Sequence, residues 1–125
     1  MHLISDKKLT LNDLARIHEG KGEIGLTDEA REKITRCREY LDKKIQNTRE
    51  PIYGINTGFG SLYNRHISHD QLEKLQENLV KSHACGTGAE VPAEIVRLML
   101  FLKVQSLAYG FSGVQLITVE RLVQL

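Results

Sequence analysis

With 125 residues, the chain has the usual size of a single domain and can bury a modest core. Its 17 basic and 16 acidic residues give a formal net charge of +1, so no overall field draws it to nucleic acid or to an anionic membrane surface. The most apolar stretch, residues 95–102, is interrupted by Arg97 and is far shorter than the ~20 residues that span a bilayer, which excludes a membrane helix there.

The first predicted helix covers residues 9–19. Thr10 and Asp13 have the spacing of a capping pair, and Gly20 ends the helical pattern. The apolar residues of this segment recur on one face: Leu11, Leu14 and Ile17. Residues 20–26 contain three glycines, a composition that favours a turn or a short edge strand over a helix.

A second, longer helix is predicted from Thr27, which suits the N-cap position, to shortly before Pro51. Asp28 and Glu29 complement the positive end of its dipole. Apolar residues recur at helical spacing on one face: Ala30, Ile34, Cys37, Leu41 and Ile45. The opposite face is heavily charged, and we interpret it as solvent-exposed rather than as a binding surface.

Two further helices follow a loop over residues 49–67. Ser68 and Gln71 form a second predicted capping pair, ahead of a helix that is marked by its leucines and ends near Gly86. Pro92 suits the first turn of the next helix. That helix carries apolar side chains on nearly every face, which predicts that it is buried.

A last helical pattern begins at Val114 and runs through Ile117 and Arg121 to Leu125. No glycine, asparagine or proline stop signal follows, so we interpret residues 1–125 as a fragment cut within its last helix. A natural terminus that frays is the alternative. The predicted fold is mainly α, a single unit with at most a short β-hairpin near the N-terminus.

The loop contains an unusual run, residues 53–60, of sequence Tyr-Gly-Ile-Asn-Thr-Gly-Phe-Gly. Glycine permits close approach of backbone to a ligand, so an active-site loop is one interpretation; a packed loop aromatic at Tyr53 is the other. The run lacks the Lys-Ser/Thr ending of a phosphate loop and the dinucleotide glycine spacing, which disfavours nucleotide binding. Because such loops have little to offset their ordering entropy, we expect poor ordering in this chain.

Residues 53–60 closely resemble the N-terminal signature loop of the aromatic amino-acid ammonia-lyases and aminomutases. Two further stretches are similar to the family at its usual spacing, residues 75–88, with the sequence Ser-His-Ala-Cys-Gly at 82–86, and residues 97–113. The resemblance covers most of the chain, and only the first 50 residues match loosely.

The resemblance implies an elimination that removes the amino group and a β-proton of an amino acid, leaving an α,β-unsaturated acid and ammonia. The family uses an electrophilic methylidene-imidazolone (MIO) that forms from an internal Ala-Ser-Gly triplet. This sequence contains no such triplet, so we expect the cofactor only in a longer protein and expect the fragment alone to be inactive. The family's active sites are built from several chains of a homotetramer, which implies a homo-oligomer.

By the same resemblance, Tyr53 matches the catalytic base, whose hydroxyl needs positive or hydrogen-bonding neighbours to lose its proton near neutral pH. His83 matches a residue that contacts the substrate's ring, and a polar partner there favours imidazole or phenol, because an unpaired polar edge costs about 1–3 kcal/mol. A helix-end histidine that interacts with the last carbonyls is the alternative. Gly60 either lets the backbone approach the substrate or has a purely conformational role.

The other potential metal ligands show no metal-site spacing, so no metal cofactor is predicted. They are His2, His18, His66, His69, Cys37 and Cys85. The N-terminus also lacks the pattern of an export signal, which together with the cysteine usage favours a reduced, cytoplasmic setting.

The leading hypothesis is the N-terminal part of a histidine ammonia-lyase, which converts a small amino-acid substrate, L-histidine, to urocanate in histidine degradation. The alternatives are a tyrosine ammonia-lyase or tyrosine aminomutase, or a non-catalytic helical interaction module. The module predicts a compact monomer or dimer, whereas the fragment predicts exposed apolar surface on the fourth and fifth helices.

Overall fold

The computed structural model describes residues 1–20, 22–48 and 50–125, with His69 described by its backbone alone. The helices and strands in chain order are β1 (His2–Ile4), α1 (Leu11–Glu19), β2 (Ile24–Leu26), α2 (Asp28–Asn47), α3 (Leu72–His83), α4 (Ala93–Ala108) and α5 (Leu116–Gln124). The chain divides into two compact units, residues 1–47 with 90–125, and residues 48–89. The mainly α fold is confirmed, and the treatment of residues 1–125 as one domain stays a prediction.

The first unit contains a two-stranded parallel sheet. β1 pairs with β2 in a register that places Leu3 opposite Gly25. The predicted strand within residues 20–26 is confirmed, although Lys21 lies outside the described residues. The β-hairpin prediction is wrong, because α1 connects the two strands and lets them run in the same direction.

α1 begins with the predicted capping pair. The Thr10 hydroxyl accepts from the Asp13 amide at 3.2 Å, and the Asp13 carboxylate accepts from the Thr10 amide at 3.0 Å. The Thr10 hydroxyl also donates to this carboxylate at 2.7 Å, and Arg16 pairs with it. The hydrogen bonds from Thr10, followed by that from Arg16, lower the pKa of Asp13 to about 2.

Thr10→Ala is expected to raise the pKa of Asp13 toward its ordinary value, because the substitution removes the largest cause of the shift. In the unchanged protein the pKa is lowered on folding, so the stability that the carboxylate contributes is complete above pH ~4 and is lost as the pH falls through about 2. Titration of carboxyl carbons by NMR measures both values, and the Asp6 carboxyl, paired with Lys33, is the internal control. An Asp13 midpoint close to 3.8 in the unchanged protein would contradict this account.

α2 begins as predicted at Thr27, whose hydroxyl accepts from the Ala30 amide at 3.2 Å. Its predicted apolar face is also confirmed. Ala30 and Ile34 are buried, and further along the same face Cys37 and Leu41 are half-buried. The face therefore packs most closely where α2 begins and becomes more exposed toward its end.

Only the C-terminal half of α4 is buried. Phe101, Val104 and Ala108 belong to the core, whereas the first half of the helix exposes apolar side chains, among them Val96 and Met99. The prediction that the whole helix is buried is therefore wrong for its first half. Exposed apolar side chains on α4 and α5 are what the fragment hypothesis predicts.

The core of the first unit joins both parts of its chain. Nine buried apolar residues form one cluster: Ile4, Leu26, Ala30, Ile34, Phe101, Val104, Leu107, Ala108 and Val119. A buried polar side chain adds a second kind of contact, since the Gln105 amide donates to the Ser5 carbonyl oxygen at 2.7 Å. Residues from the beginning and the end of the chain are thus needed together.

The second unit contains one α-helix among its described residues, α3, which begins later than predicted. A 3₁₀ turn (His69–Gln71) precedes it, and the Gln71 amide donates to the Ser68 carbonyl oxygen at 3.0 Å. Gln71 is the residue before the helix and its side chain makes no cap hydrogen bond, so the predicted Ser68–Gln71 capping pair is wrong. α3 ends at His83 rather than near Gly86, because the Ala84 backbone (φ −78°, ψ 62°) has left the helical region.

Within residues 1–20, 22–48 and 50–125, no helix is both long and apolar enough to cross a membrane.

Candidate functional site

The three predicted site residues all lie in the second unit, residues 48–89. Tyr53 and Gly60 belong to its loop, and His83 is the last residue of α3. All three are exposed, and Tyr53 keeps 65% of its surface open. The unit therefore leaves each of them accessible to solvent and encloses none of the three.

The loop is closed by backbone hydrogen bonds. The Gly58 amide donates to the Arg65 carbonyl oxygen at 2.9 Å, and the Ile67 amide donates to the Asn56 carbonyl oxygen at 2.8 Å. Thr57 and His66 form an antiparallel bridge between these two bonds. Composition does not reveal these hydrogen bonds, and the expectation of poor ordering stays a prediction. Arg49, the first residue of the predicted loop, lies outside the described residues.

Two polar side chains are buried at the centre of the loop. Asn56 is 5% exposed; its Oδ1 accepts from the Ile52 amide at 2.6 Å and its Nδ2 donates to the Glu50 carbonyl oxygen at 3.0 Å. Thr57 is 1% exposed; its Oγ1 accepts from the Gly54 amide at 3.3 Å and donates to the Gly58 carbonyl oxygen at 3.0 Å. The sequence reasoning gave neither residue a role, although asparagine and threonine commonly bind nearby backbone in turns.

Two glycines of the loop have different reasons to be glycine. A Cβ at Gly58 would lie 2.6 Å from the Leu62 carbonyl oxygen, so the close approach of the loop to itself requires glycine there. Gly60 has a φ of +56° and open space around it. The positive φ supports the conformational interpretation of Gly60. Approach of its backbone to a substrate stays a prediction.

The Tyr53 ring packs against one neighbour only loosely. Its centroid lies 6.2 Å from that of Phe59, at an interplanar angle of 68°, which is the edge-to-face arrangement that aromatic pairs favour. Because the ring is nonetheless mostly exposed, this contact orients it without covering it. The interpretation of Tyr53 as a packed loop aromatic therefore fits its contact with Phe59 but not the exposed remainder of the side chain.

His83 makes the helix-end contact that was the alternative to a site role. Its Nδ1 lies 2.9 Å from the Leu79 carbonyl oxygen and 3.0 Å from the Ser82 hydroxyl oxygen. Since a carbonyl oxygen only accepts, the contact with Leu79 is a hydrogen bond when Nδ1 carries the proton. In that tautomer Nε2 is left as an acceptor, so the helix-end contact and a ligand contact are compatible.

The lysines of α3 are already paired. Lys74 donates to the Glu77 carboxylate at 2.7 Å, and Lys81 pairs with the same carboxylate. Hydrogen bonds from Lys74 and then Lys81 lower the pKa of Glu77. The pairs are exposed and add little stability, but they neutralise the cations nearest to His83 along the helix.

The first unit has a groove of about 680 Å³ between α1, β2, α4 and α5. Ile17, Leu98 and Leu122 are among the side chains that line it, and none of the three predicted site residues does. Within the described residues, no three histidine, cysteine or acidic side chains are grouped as metal ligands. The predicted absence of a metal cofactor stays a prediction.

Residues 9–125 match the family model described as aromatic amino acid lyase. The chain belongs to this family. The resemblance that the signature loop carried is thereby confirmed, and the match also includes most of the first 50 residues, where the motif resemblance was loose.

Three similar proteins show what share of a relative's length this chain covers. The histidine ammonia-lyase of Caldanaerobacter subterraneus subsp. tengcongensis is 39% identical over 98% of this chain and 24% of its own length. The crystal structure of histidine ammonia-lyase from Trypanosoma cruzi is 41% identical with a TM-score of 0.79, covering 99% of this chain and 24% of that one. The tyrosine aminomutase from Streptomyces globisporus is 29% identical with a TM-score of 0.88, covering 98% and 23%. The chain spans about a quarter of the length of the relatives it matches.

Proposed function

We propose that the chain is the N-terminal part of a histidine ammonia-lyase, which eliminates ammonia from L-histidine to give urocanate, and that the 125 residues alone are inactive. The observation that carries the proposal is the identity of about 40% with histidine ammonia-lyases over nearly the whole chain. The exposure of Tyr53 and His83 in one unit supports it.

In the proposed reaction, Tyr53 acts as a phenolate: its oxygen takes the β-proton of the substrate and becomes the neutral hydroxyl. The electron pair of the broken C–H bond forms the new carbon–carbon double bond, and the protonated amino group leaves as ammonia with the electron pair of the C–N bond. The ring of Tyr53 is mostly exposed, which leaves it accessible to a substrate. His83 accepts a hydrogen bond from the imidazole N–H of the substrate through Nε2, and Gly60 sets the backbone conformation of the loop that carries Tyr53.

The MIO group that the family uses would supply the electrophile that assists loss of the amino group. The 125 residues contain no Ala-Ser-Gly triplet, so they do not provide that group. We also propose a homotetramer as the working assembly, supported by the exposed apolar side chains of α4 and α5, and a cytoplasmic location, supported by the free thiols of Cys37 and Cys85.

A tyrosine aminomutase is the second candidate. The Streptomyces globisporus enzyme aligns with the higher TM-score, 0.88 against 0.79 for the Trypanosoma cruzi lyase, and His83 would suit a phenol as well as an imidazole. Sequence identity favours the lyase, at 41% against 29%.

A spectrophotometric assay for urocanate tests the proposal. L-Histidine, L-tyrosine and L-phenylalanine are supplied in parallel to the 125-residue chain and to the gene product carried to its natural stop codon. We expect urocanate from histidine with the longer protein only. Conversion of tyrosine alone to β-tyrosine, separated by chromatography, would replace the lyase by the second candidate, and activity of the short chain would overturn the claim that it is inactive.

His83→Phe in the longer protein is expected to lower kcat/KM for histidine by roughly ten- to a hundred-fold, because the substrate's ring N–H loses its acceptor at a cost of about 1–3 kcal/mol. The ratio of phenylalanine to histidine turnover should rise. His66→Phe is the matched control, since His66 is another exposed histidine of the same unit without a proposed substrate contact. Equal losses in both variants would remove His83 from the site.

A further inference from the structure

We infer that Asn56 and Thr57 are positioning residues for Tyr53, holding in place the backbone before and after it. The inference rests on the proposed function, in which Tyr53 is the base. The side chain of Asn56 binds the amide of Ile52, the residue before Tyr53, and the side chain of Thr57 binds the amide of Gly54, the residue after it.

The side chains of Asn56 and Thr57 each make a second hydrogen bond, to a backbone carbonyl oxygen. Asn56 donates to the Glu50 carbonyl oxygen, and Thr57 donates to the Gly58 carbonyl oxygen. The backbone of Asn56 in turn accepts from Ile67 at 2.8 Å. Tyr53 is therefore connected through hydrogen bonds to both sides of the closed loop, although Phe59 is the one aromatic neighbour of its ring among the side chains that the structure describes, and it packs loosely.

The burial pattern supports a conformational role. Among the side chains of residues 48–89 that the structure describes, those of Asn56 and Thr57 are buried while the leucines of α3 are at most half-buried. The centre of the unit is thus polar. Buried polar groups cost free energy when unpaired, so their hydrogen bonds select one loop conformation over others in which these donors and acceptors lack partners.

A base must be placed accurately to remove a proton. An error of about 1 Å in the position of a reacting group can cost about 100-fold in rate. The backbone that carries Tyr53 is held at the Ile52 N–H by one side-chain atom and at the Gly54 N–H by another, so removal of either atom frees that backbone to shift. Substrate affinity depends on other contacts and should change less.

Threonine offers a matched pair of variants at position 57. Thr57→Val has nearly the same shape but no hydroxyl, and Thr57→Ser keeps the hydroxyl. In the longer protein, we expect Thr57→Val to lower kcat by roughly 10- to 100-fold with a much smaller change in KM, and Thr57→Ser to restore most of the activity.

The decisive readout is the primary deuterium isotope effect with L-histidine deuterated at the β-carbon. A misplaced base slows the proton transfer itself, so the isotope effect should rise in Thr57→Val and return in Thr57→Ser. A merely structural role lowers the number of active molecules and leaves the isotope effect unchanged. An unchanged isotope effect, or equal loss of activity in both variants, overturns the inference.

A second variant tests the inference if Thr57→Val does not fold. Asn56→Asp keeps the acceptor for the Ile52 amide but loses the donor to Glu50, so it should weaken the same support while preserving shape. The same rise in isotope effect is expected. Turnover that is lost on Tyr53→Phe but shows no isotope-effect change in either variant overturns this inference alone, whereas no turnover of any substrate by the unchanged protein overturns the proposed function and the inference with it.

Discussion

Tyr53→Phe is expected to lower ammonia release from L-histidine by about 10²- to 10⁴-fold in the longer protein, the contribution typical of a general base. The substitution removes one oxygen atom and keeps the ring that meets Phe59 edge-on, so the loop should hold its conformation. The loss should appear in kcat more than in KM, because proton removal occurs in the transition state. Urocanate absorbance and an ammonia assay measure it independently.

Tyr63→Phe is the matched control for this experiment. Tyr63 lies in the same loop and is 63% exposed, against 65% for Tyr53, so the same hydroxyl is removed from a similar environment. Activity close to that of the unchanged protein is expected. A comparable loss in both variants, or full activity of Tyr53→Phe, would show that Tyr53 is not the base.

Gly110→Ala is expected to destabilise the protein by about 2–5 kcal/mol, the sum of a left-handed backbone for an L-residue and of overpacking. Gly110 has a φ of +74°, and a Cβ there would lie 2.8 Å from the Lys33 Cβ and 2.9 Å from its carbonyl carbon and oxygen. Because two of these three atoms belong to the backbone of α2, the overlap is relieved only if the helix moves. Denaturant unfolding of the longer protein gives the free energy.

Gly113→Ala separates the two causes. Its φ of +64° gives a similar backbone penalty, but its nearest neighbour is the end of the Leu41 side chain, which can change rotamer. A loss of about 1–2 kcal/mol is expected, clearly smaller than for Gly110→Ala. Equal losses in the two variants would mean that the contact with Lys33 contributes nothing.

The sequence predicted the start of a helix correctly where the cap involves only neighbouring residues. The Thr10–Asp13 cap and the Thr27 cap form as expected, since each needs only residues within one helical turn. β1 was not predicted, because three residues show no periodicity and each pairs with a residue 22 positions later in the chain. The half-exposed α4 was misjudged for a similar reason: an apolar helix predicts that a cover exists, but not which part of the chain provides it.

The candidate site residues were selected from a motif rather than from a physical argument. Tyr53, His83 and Gly60 were selected by the resemblance, and the structure brings them into one unit. The roles of Asn56 and Thr57 depend on which backbone groups their side chains meet, and several conformations of a glycine-rich loop fit the same composition. The helix-end contact of His83 was predictable, because histidine at the last turn commonly binds the free carbonyls.

The hydrogen bond between Gln105 and Ser5 can form only late in the synthesis of the chain. Ser5 leaves the ribosome first, and its partner is made 100 residues later, which at about 5–20 residues per second is roughly 5–20 s. During that interval β1 and α2 have no α4 to cover them, while residues 48–89 already contain every partner of their own hydrogen-bonded loop. We therefore expect the second unit, residues 48–89, to fold first during synthesis. Residues 1–47 are made earlier, and we expect chaperones to protect them until α4 is made.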